Sequence, residues 1–457
     1  MNGFGRLVRS EWTKLRSVPR WMITLGAAIG LTAVVALLTT AGSQSVGDGG
    51  GGGGGAGAKP PRGHQDGGTF AYRELTGDGS LVTRIASQKA DESWAKAGLM
   101  IRAGSEPGAR YAAVMLTPGH GVRMQADFDD KASGDGTWLK LTRTGTTVTG
   151  YSSTDGADWR RLGTYRLGGT AHLGLFVATP ATTKVVRQFG GESIDSLPSR
   201  TQAVFDRVEP RPEGWRVRGG VPAPPGEPPG DEAFTWDGAR ATLTGSGDVG
   251  PDLYDDDLTR MTLTGILLGL ICVVGVTVLF VTSEYRRGMA GTTFTVTPHR
   301  GRVLAARTLV LGGVTFLAGA MAAVLSLVLA RPFVRESQRG DLALTDPVVL
   351  RAVLGTALLA GLVAVFSMAV ATLFRNTAAA VTVVLVALLV PRIVATGLPL
   401  EASRWLTRLT PAAGFEVQQT FQRYDSAMGP WAGLAVLTLY AVVGLALAAR
   451  FLTRRDA

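Results

Sequence analysis

The sequence predicts a polytopic α-helical membrane protein of six transmembrane helices, with an extracellular antiparallel β-sandwich of jelly-roll kind inserted between helices 1 and 2. Three observations predict it. Six apolar runs punctuate the chain, of a length that at ~1.5 Å per helical residue crosses a hydrocarbon core of ~30 Å. Between the first and second of them lie roughly 150 residues of another texture, short runs of β-formers bounded by Gly, Asp and Pro. Residues 283–302, SEYRRGMAGTTFTVTPHRGR, form a polar island between the uncharged runs 261–282 and 309–330, and so must sit at a membrane face.

Charge gives the orientation. The island carries Arg286, Arg287, Arg300 and Arg302, with Arg307 just beyond, and only Glu284 opposes them; by the positive-inside rule this face is cytoplasmic. Six spans then place both termini inside, with 14 Lys and Arg in the inner segments against eight in the short outer loops. The formal charge of the 457-residue chain is +10, yet residues 62–257 hold 22 Lys and Arg against 26 Asp and Glu. The basic excess is membrane-proximal, which argues against nucleic-acid binding, where a basic face belongs to a folded soluble unit. A single cysteine, Cys272 in an apolar run, excludes a disulfide framework, so an exported domain has to be stable through its core.

Taken in order, residues 1–20 read as a cytoplasmic amphipathic helix. Phe4, Leu7, Val8, Trp12 and Leu15 make one apolar stripe, Arg6, Arg9 and Arg16 lie across the wheel, and Lys14 borders the stripe. Such a helix lies among lipid headgroups. A signal-peptide n-region is the alternative; the following run, 21–41, is long for an h-region and ends in no clean small-x-small site, so it reads as the first span. Residues 42–61, with GDGGGGGGGAGA, form a flexible tether.

Residues 62–210 form the sandwich. Alternation, as in Trp138-Leu139-Lys140-Leu141, marks half-buried antiparallel strands, and many such runs at regular spacing argue two packed sheets. Residues 211–258, rich in Pro and Gly, offer one or two more strands, FTWDG and ARATLTG, which either close a sheet edge or belong to a return linker. Asp155 and Asp158 fit a calcium site or, more simply, an Asp-Gly turn. The runs WAKAGLMIR, MLTPGHGVRMQ, WLKLTRTGTTVTGYSSTDGADW and GLFVATP resemble the concanavalin-like lectin/glucanase sandwiches over roughly residues 69–208. Some members of that group bind or cleave polysaccharide. The glucanase branch uses an E-x-D-x-x-E strand motif, a spacing absent here, so a hydrolase is not expected. Trp94, Tyr111, Trp138, Tyr151 and Trp159 are candidate ectodomain contacts for a glycan or cell-wall ligand, with core or rim packing as the competing role.

The remaining spans fall at 259–282, 308–330, 352–374, 377–397 and 431–450, separated by the cytoplasmic loop 283–307, the outer segments 331–351 and 398–430, and ended by the tail 451–457. The fifth is expected to break near Pro391, since proline kinks or ends a helix. Broken helices at depth survive where they are buried or line a cavity, making this a candidate pathway or re-entrant element; a short span followed by an outer amphipathic helix at 401–409 is the other reading. Gly265 and Gly269, spaced G-x-x-x-G, permit close helix approach.

SEWTKLRSVPRW at 10–21, SEYRRGMAGTTFTVTPHRGRVLAAR at 283–307 and the terminal AARFLTRRDA together resemble the ABC-2 type permease subunits of ATP-binding-cassette transporters. The resemblance implies a permease exporting an amphiphilic small molecule, lipid, peptide or envelope component, paired with a second copy or paralogue and driven by a dimer of cytoplasmic ATPase subunits. Neither G-x-x-x-x-G-K-[ST] nor any Gly-Lys pair occurs, so ATP and Mg belong on the ATPase partner, and the chain itself is expected to be no enzyme and to hold neither cofactor nor metal. By the same resemblance Glu284, Tyr285, Arg287, Gly288, Thr293, Pro298 and Arg300 are the ATPase-coupling residues, beside Phe4, Leu7, Trp12, Lys14 and Leu15 of the N-terminal helix. Physics alone would make the loop a solvated charged segment. The sandwich departs from many relatives, and it supports an alternative function: a membrane-tethered glycan or cell-wall recognition or sensor protein, though an anchor needs one span.

Overall fold

The computed structural model describes residues 3–46, 64–188, 191–219, 233–253, 257–286, 300–336 and 343–454, and within these the apolar runs without breakers are helices. The chain divides into a helical unit and a β unit. In chain order the strands follow the second helix and precede the third.

The helical unit comprises α1 (Gly3–Ser17), α2 (Pro19–Val46), α3 (Leu258–Leu263), α4 (Ile266–Arg286), α5 (Arg300–Glu336), α6 (Pro347–Phe374), α7 (Thr377–Ala395), α8 (Leu400–Arg408), a 3-10 turn at Pro411–Gln418, and α9 (Pro430–Arg454). Among the described residues six helical segments, one of them α3 and α4 taken together, are long and apolar enough to cross a membrane. Their outward faces carry large apolar side chains such as Leu38, Leu309, Leu317, Met321, Ile393 and Leu439, each more than half exposed. Water does not tolerate that belt and lipid does. The central helix is α6, built largely of Ala, Val and Leu and packed against α4, α5, α7 and α9. It starts with Asp346 capping the Val348 N–H at 2.8 Å and stops at Arg375, whose left-handed backbone (φ 53°) closes the last turn on Ala371. Asn376 then caps α7 through the Ala379 N–H at 3.2 Å, so two residues turn the chain back on itself.

Two expectations change. The fifth span runs through Pro391 to Ala395 as one helix. Its proline removes only the bond that the Ala387 carbonyl would accept, in the penultimate turn, and the helix ends one turn later. An amphipathic helix does follow, as α8. The discontinuity among the spans lies instead at Thr264-Gly265, where α3 hands over to α4 through bonds from the Thr264 N–H to Met261 O (3.2 Å) and the Leu267 N–H to Thr264 O (3.0 Å). Gly265 and Gly269 have α2 of the same chain as their neighbour. A Cβ on Gly265 would lie 2.4 Å from the Thr32 carbonyl oxygen, and one on Gly269 would lie 2.3 Å from Thr32 Oγ1.

The β unit is a sandwich of two seven-stranded antiparallel sheets, and β12 (Thr182–Gln188) and β13 (Gly191–Leu197) pair as a separate two-stranded sheet. One orders its strands β10 (Arg160–Arg166), β9 (Thr147–Ser153), β8 (Trp138–Thr144), β3 (Gly79–Ala90), β14 (Thr201–Glu209), β17 (Arg240–Gly245) and β16 (Phe234–Trp236). The other orders β15 (Arg216–Arg218), β2 (Thr69–Leu75), β11 (Ala171–Ala178), β4 (Lys96–Arg102), β5 (Tyr111–Thr117), β6 (Gly121–Ala126) and β7 (Asp129–Gly134). Leu139, Leu141, Val148 and Phe205 of the first sheet meet Leu99, Ile101, Val114 and Leu175 of the second in the core. FTWDG and ARATLTG therefore close a sheet edge, as β16 and β17, and the unit extends past residue 210 to Val249–Pro251 (β18), which pairs with His64–Asp66 (β1). The second sheet is buried on both faces: Phe70, Met100, Tyr111, Met115 and Phe176 form another cluster with Phe128 and Val249. Two buried ion pairs tie the β1–β18 pair to the middle of this sheet, Asp66 of β1 with Arg102 and Asp248, just before β18, with Lys96, both bases on β4.

Candidate functional site: a buried ion ring joining three helices

The N-terminal helix buries Val8, Glu11 and Leu15 toward the bundle only in part as its apolar stripe foretells. Leu15 is fully buried, Leu7 and Val8 half-buried, and Phe4 and Trp12 stay exposed. Between Leu7 and Leu15 the inward position belongs to Glu11, which is 2 % exposed. Burying one carboxylate requires a partner, and three side chains supply a closed set. Glu11 Oε1 lies 2.8 Å from Lys14 Nζ, and Glu11 Oε2 lies 3.3 Å from Arg307 Nε, an ion pair without hydrogen-bond geometry. Glu284 Oε1 accepts from Lys14 Nζ at 3.1 Å, and Glu284 Oε2 accepts from Arg307. Each carboxylate thus meets each cation, and the ring is electrically neutral. Glu284 and Arg307 are buried, while Lys14 keeps part of its stem in contact with solvent or lipid.

The ring fastens α1 to the end of α4 and the start of α5, the two helices that flank the arginine-rich island. Thr282 and Thr377 hydroxyls, 2.8 Å apart, tie the same end of α4 to the first residue of α7. Of the coupling residues, Glu284 is inside the ring, buried where three helices pack. Tyr285 falls in the last turn of α4 and Arg300 opens α5. Arg287, Gly288, Thr293 and Pro298 lie outside the described residues. Sequence reasoning missed Glu11 and the pairing of Arg307. The available signal was their isolation: Glu11 is the one acid in a basic segment, as Glu284 is in the island.

In the β unit the aromatic candidates separate. Tyr111 is fully buried, accepts from the Phe128 N–H at 3.2 Å and donates to Gln125 Oε1 at 2.8 Å, so it packs the core and cannot meet a ligand. Trp94 stacks on His120 with centroids 3.6 Å apart, with Arg123 on its ring at 5.7 Å. Trp138, Tyr151 and Trp159 share one outer face: Lys140 pairs in register with Tyr151 and places Nζ 5.6 Å from its ring and 5.4 Å from that of Trp159. Trp138 lies over Gly156, whose φ of 81° and lack of Cβ admit the indole. Asp155 is committed to that turn. Its Oδ1 accepts from the Ala157 and Asp158 N–H groups at 2.9 and 3.0 Å, which with the Ser153 hydroxyl pull its carboxyl down to about 2. Among the described residues no three His, Cys, Asp or Glu side chains converge as metal ligands.

No protein-family model, curated protein or solved structure matches this chain.

Proposed function

We propose that the chain is the transmembrane permease subunit of an ATP-binding-cassette transporter, moving an amphiphilic small molecule, lipid, peptide or envelope component with ATP hydrolysed on a separate cytoplasmic subunit. The ion ring carries the reading. A soluble motor can act on a membrane bundle only through elements at its face, and the ring makes α1, α4 and α5 a single lever there: displacing α1 must displace both helices bordering the island or break buried charge pairs. The density of arginine on the island and the N-terminal helix supports a cytoplasmic location for this end and an extracellular one for the β unit. Half-exposed Phe4 and Trp12 suit a helix resting against lipid headgroups while its other side grips the bundle. The described helical surface is compatible with a second copy or a paralogue as the other half of the pore.

A second reading has its own observation, the outer-face group of Trp138, Tyr151, Trp159 and Lys140, a partly exposed aromatic and cationic surface that suits a sugar ring. It would make the β unit a glycan or cell-wall recognition domain. One experiment separates the two. Affinity purification of the full chain in mild detergent should recover a Walker-A ATPase whose hydrolysis rate in nanodiscs responds to the permease and is uncoupled by Lys14→Met. Recovery of no such ATPase, with retention of the chain on peptidoglycan abolished by Trp159→Ala, selects the second reading.

A further inference from the structure

At the other end of the helical unit, some 20 residues back along α4 from the ring, three guanidinium groups line a cavity of about 540 Å³ with no carboxylate among its lining residues. Arg351 comes from the first turns of α6, Arg404 and Arg408 from α8, and the wall is completed by Gln419, Ser426 and the Gly429-Pro430 start of α9. A space of this size takes a headgroup-sized ligand.

The arginines are held by backbone carbonyls, which orient without neutralising. Arg351 donates to Gln419 O, Arg404 to Tyr424 O, and Arg408 Nε to Ala427 O at 2.7 Å. Glu401, largely exposed, pairs with Arg404 at 2.6 Å, and neither Arg351 nor Arg408 has a carboxylate partner among the described residues. Three acids lie close by: buried Glu416 accepts from the Ala427 N–H behind the wall, and the other two are engaged elsewhere. Asp257 accepts from the Thr420 N–H, the Thr420 hydroxyl and the Arg260 N–H at 2.6, 2.8 and 2.9 Å, and Asp425 pairs with Arg260 and Arg423, each at 3.3 Å.

Gln419 supplies an independent observation. Its side chain is buried, 3 % exposed, and its Nε2 has no acceptor. The amide orientation follows from its neighbour: Ser426 Oγ accepts from the Arg423 N–H at 3.0 Å and so gives its own proton to Gln419 Oε1 at 2.8 Å, which leaves Nε2 as the free donor. Arg404 Nε is likewise buried without an acceptor. Gly429, before the 25-residue α9, has no side chain to cap the first-turn N–H groups. Apart from Arg404, which exposed Glu401 pairs from outside, these donors have no anionic acceptor, and an unmade buried donor is costly.

We propose that this cavity binds a phosphate group, whose oxygens and charge match a set of guanidinium, amide and helix-start donors. The site stands on its own geometry and does not depend on the permease reading.

The test uses the full chain in neutral detergent, titrated calorimetrically with inorganic phosphate, and in phosphatidylcholine nanodiscs with or without phosphatidylglycerol, read by native mass spectrometry. Saturable binding of one equivalent is expected with at least one probe. Phosphate that competes with phosphatidylglycerol identifies a lipid headgroup site, and binding of free phosphate alone identifies a soluble anion; both support the proposal. Arg351→Gln or Arg408→Gln should weaken binding about tenfold or more, with exposed Arg160→Gln in the β unit as the unaffected control. Gln419→Glu guards against misfolding variants: its carboxylate supplies the anion from within, so binding is lost while the unfolding midpoint does not fall. Absence of saturable binding to either probe, or wild-type binding by Gln419→Glu and the arginine variants, overturns the proposal.

Discussion

Lys14 Nζ lies 3.1 Å from Glu284 Oε1, although 270 positions part them along the chain. The whole β unit falls within that interval, so the contact ties the first helix to helices made after the insert. Closing so long a loop is entropically expensive, by ~(3/2)RT ln n, and a single exposed ion pair would not hold it. Burial of Leu15 beside the ring and the second pair of contacts to Arg307 supply what one pair cannot.

The ring should therefore behave as a unit. Arg307→Met leaves two buried carboxylates facing one lysine and should cost about 3–5 kcal/mol. Glu284→Gln with Arg307→Gln should cost less than the sum of the single changes by about 1–3 kcal/mol. Denaturant or SDS titration of the four proteins in detergent measures the cycle, and additivity within error would show that the charges do not cooperate.

Acid should loosen the β unit at β4. Burial raises the Asp66 carboxyl, but two hydrogen bonds and the charge of Arg102, the Gly108 N–H and Arg218 outweigh it, and the net pKa is lowered. The folded value lies below the unfolded one of ~3.9, so the stabilisation is complete above about pH 4–5 and is lost as pH falls through the folded value. Hydrogen-exchange protection of Lys96–Arg102 should drop below about pH 4. Asp66→Asn should lower that protection already at pH 7, by about 3 kcal/mol, and flatten the acid dependence.

Much of this architecture is legible from residues alone, because the signals are local. Uncharged runs mark the spans, and the alternation at Trp138–Leu141 places Leu139 and Leu141 inside, as found. β16 and β17 are ambiguous by contrast, since a Pro- and Gly-rich stretch precedes them and separates β17 from β14, the strand that joins the pair to the sheet. Pro391 misleads because a proline's effect depends on how much helix remains beyond it. The wheel puts Glu11 inside the stripe, between Leu7 and Leu15, but the partners that let it be buried are not local: Glu284 and Arg307 arrive from helices far along the chain.

The buried and the outer aromatics should respond in opposite ways. Tyr111→Phe strands the Phe128 N–H and Gln125 Oε1 inside the sheet and should destabilise the β unit by about 1–3 kcal/mol. Trp159→Ala, on the outer face, should change stability by less than about 1 kcal/mol. Thermal unfolding followed by near-ultraviolet circular dichroism resolves the two.

Gly265, at the junction of α3 and α4, and Gly269 of α4 should differ in a way that reveals what each faces. Alanine at 265 drives its Cβ into the Thr32 backbone oxygen, 2.4 Å away, which can yield only if α2 shifts. Alanine at 269 meets the Thr32 hydroxyl at 2.3 Å, a side-chain atom, with the Ala28 carbonyl oxygen next at 3.1 Å. Gly265→Ala should then cost about 2 kcal/mol or more and Gly269→Ala less. Thr32→Ala removes the hydroxyl and leaves the carbonyl in place, so it should rescue Gly269→Ala and leave Gly265→Ala unrelieved. Melting of the four variants, followed by size-exclusion chromatography in detergent, reads the pattern. Equal rescue of both would mean that α2 and α4 approach through the Thr32 side chain alone.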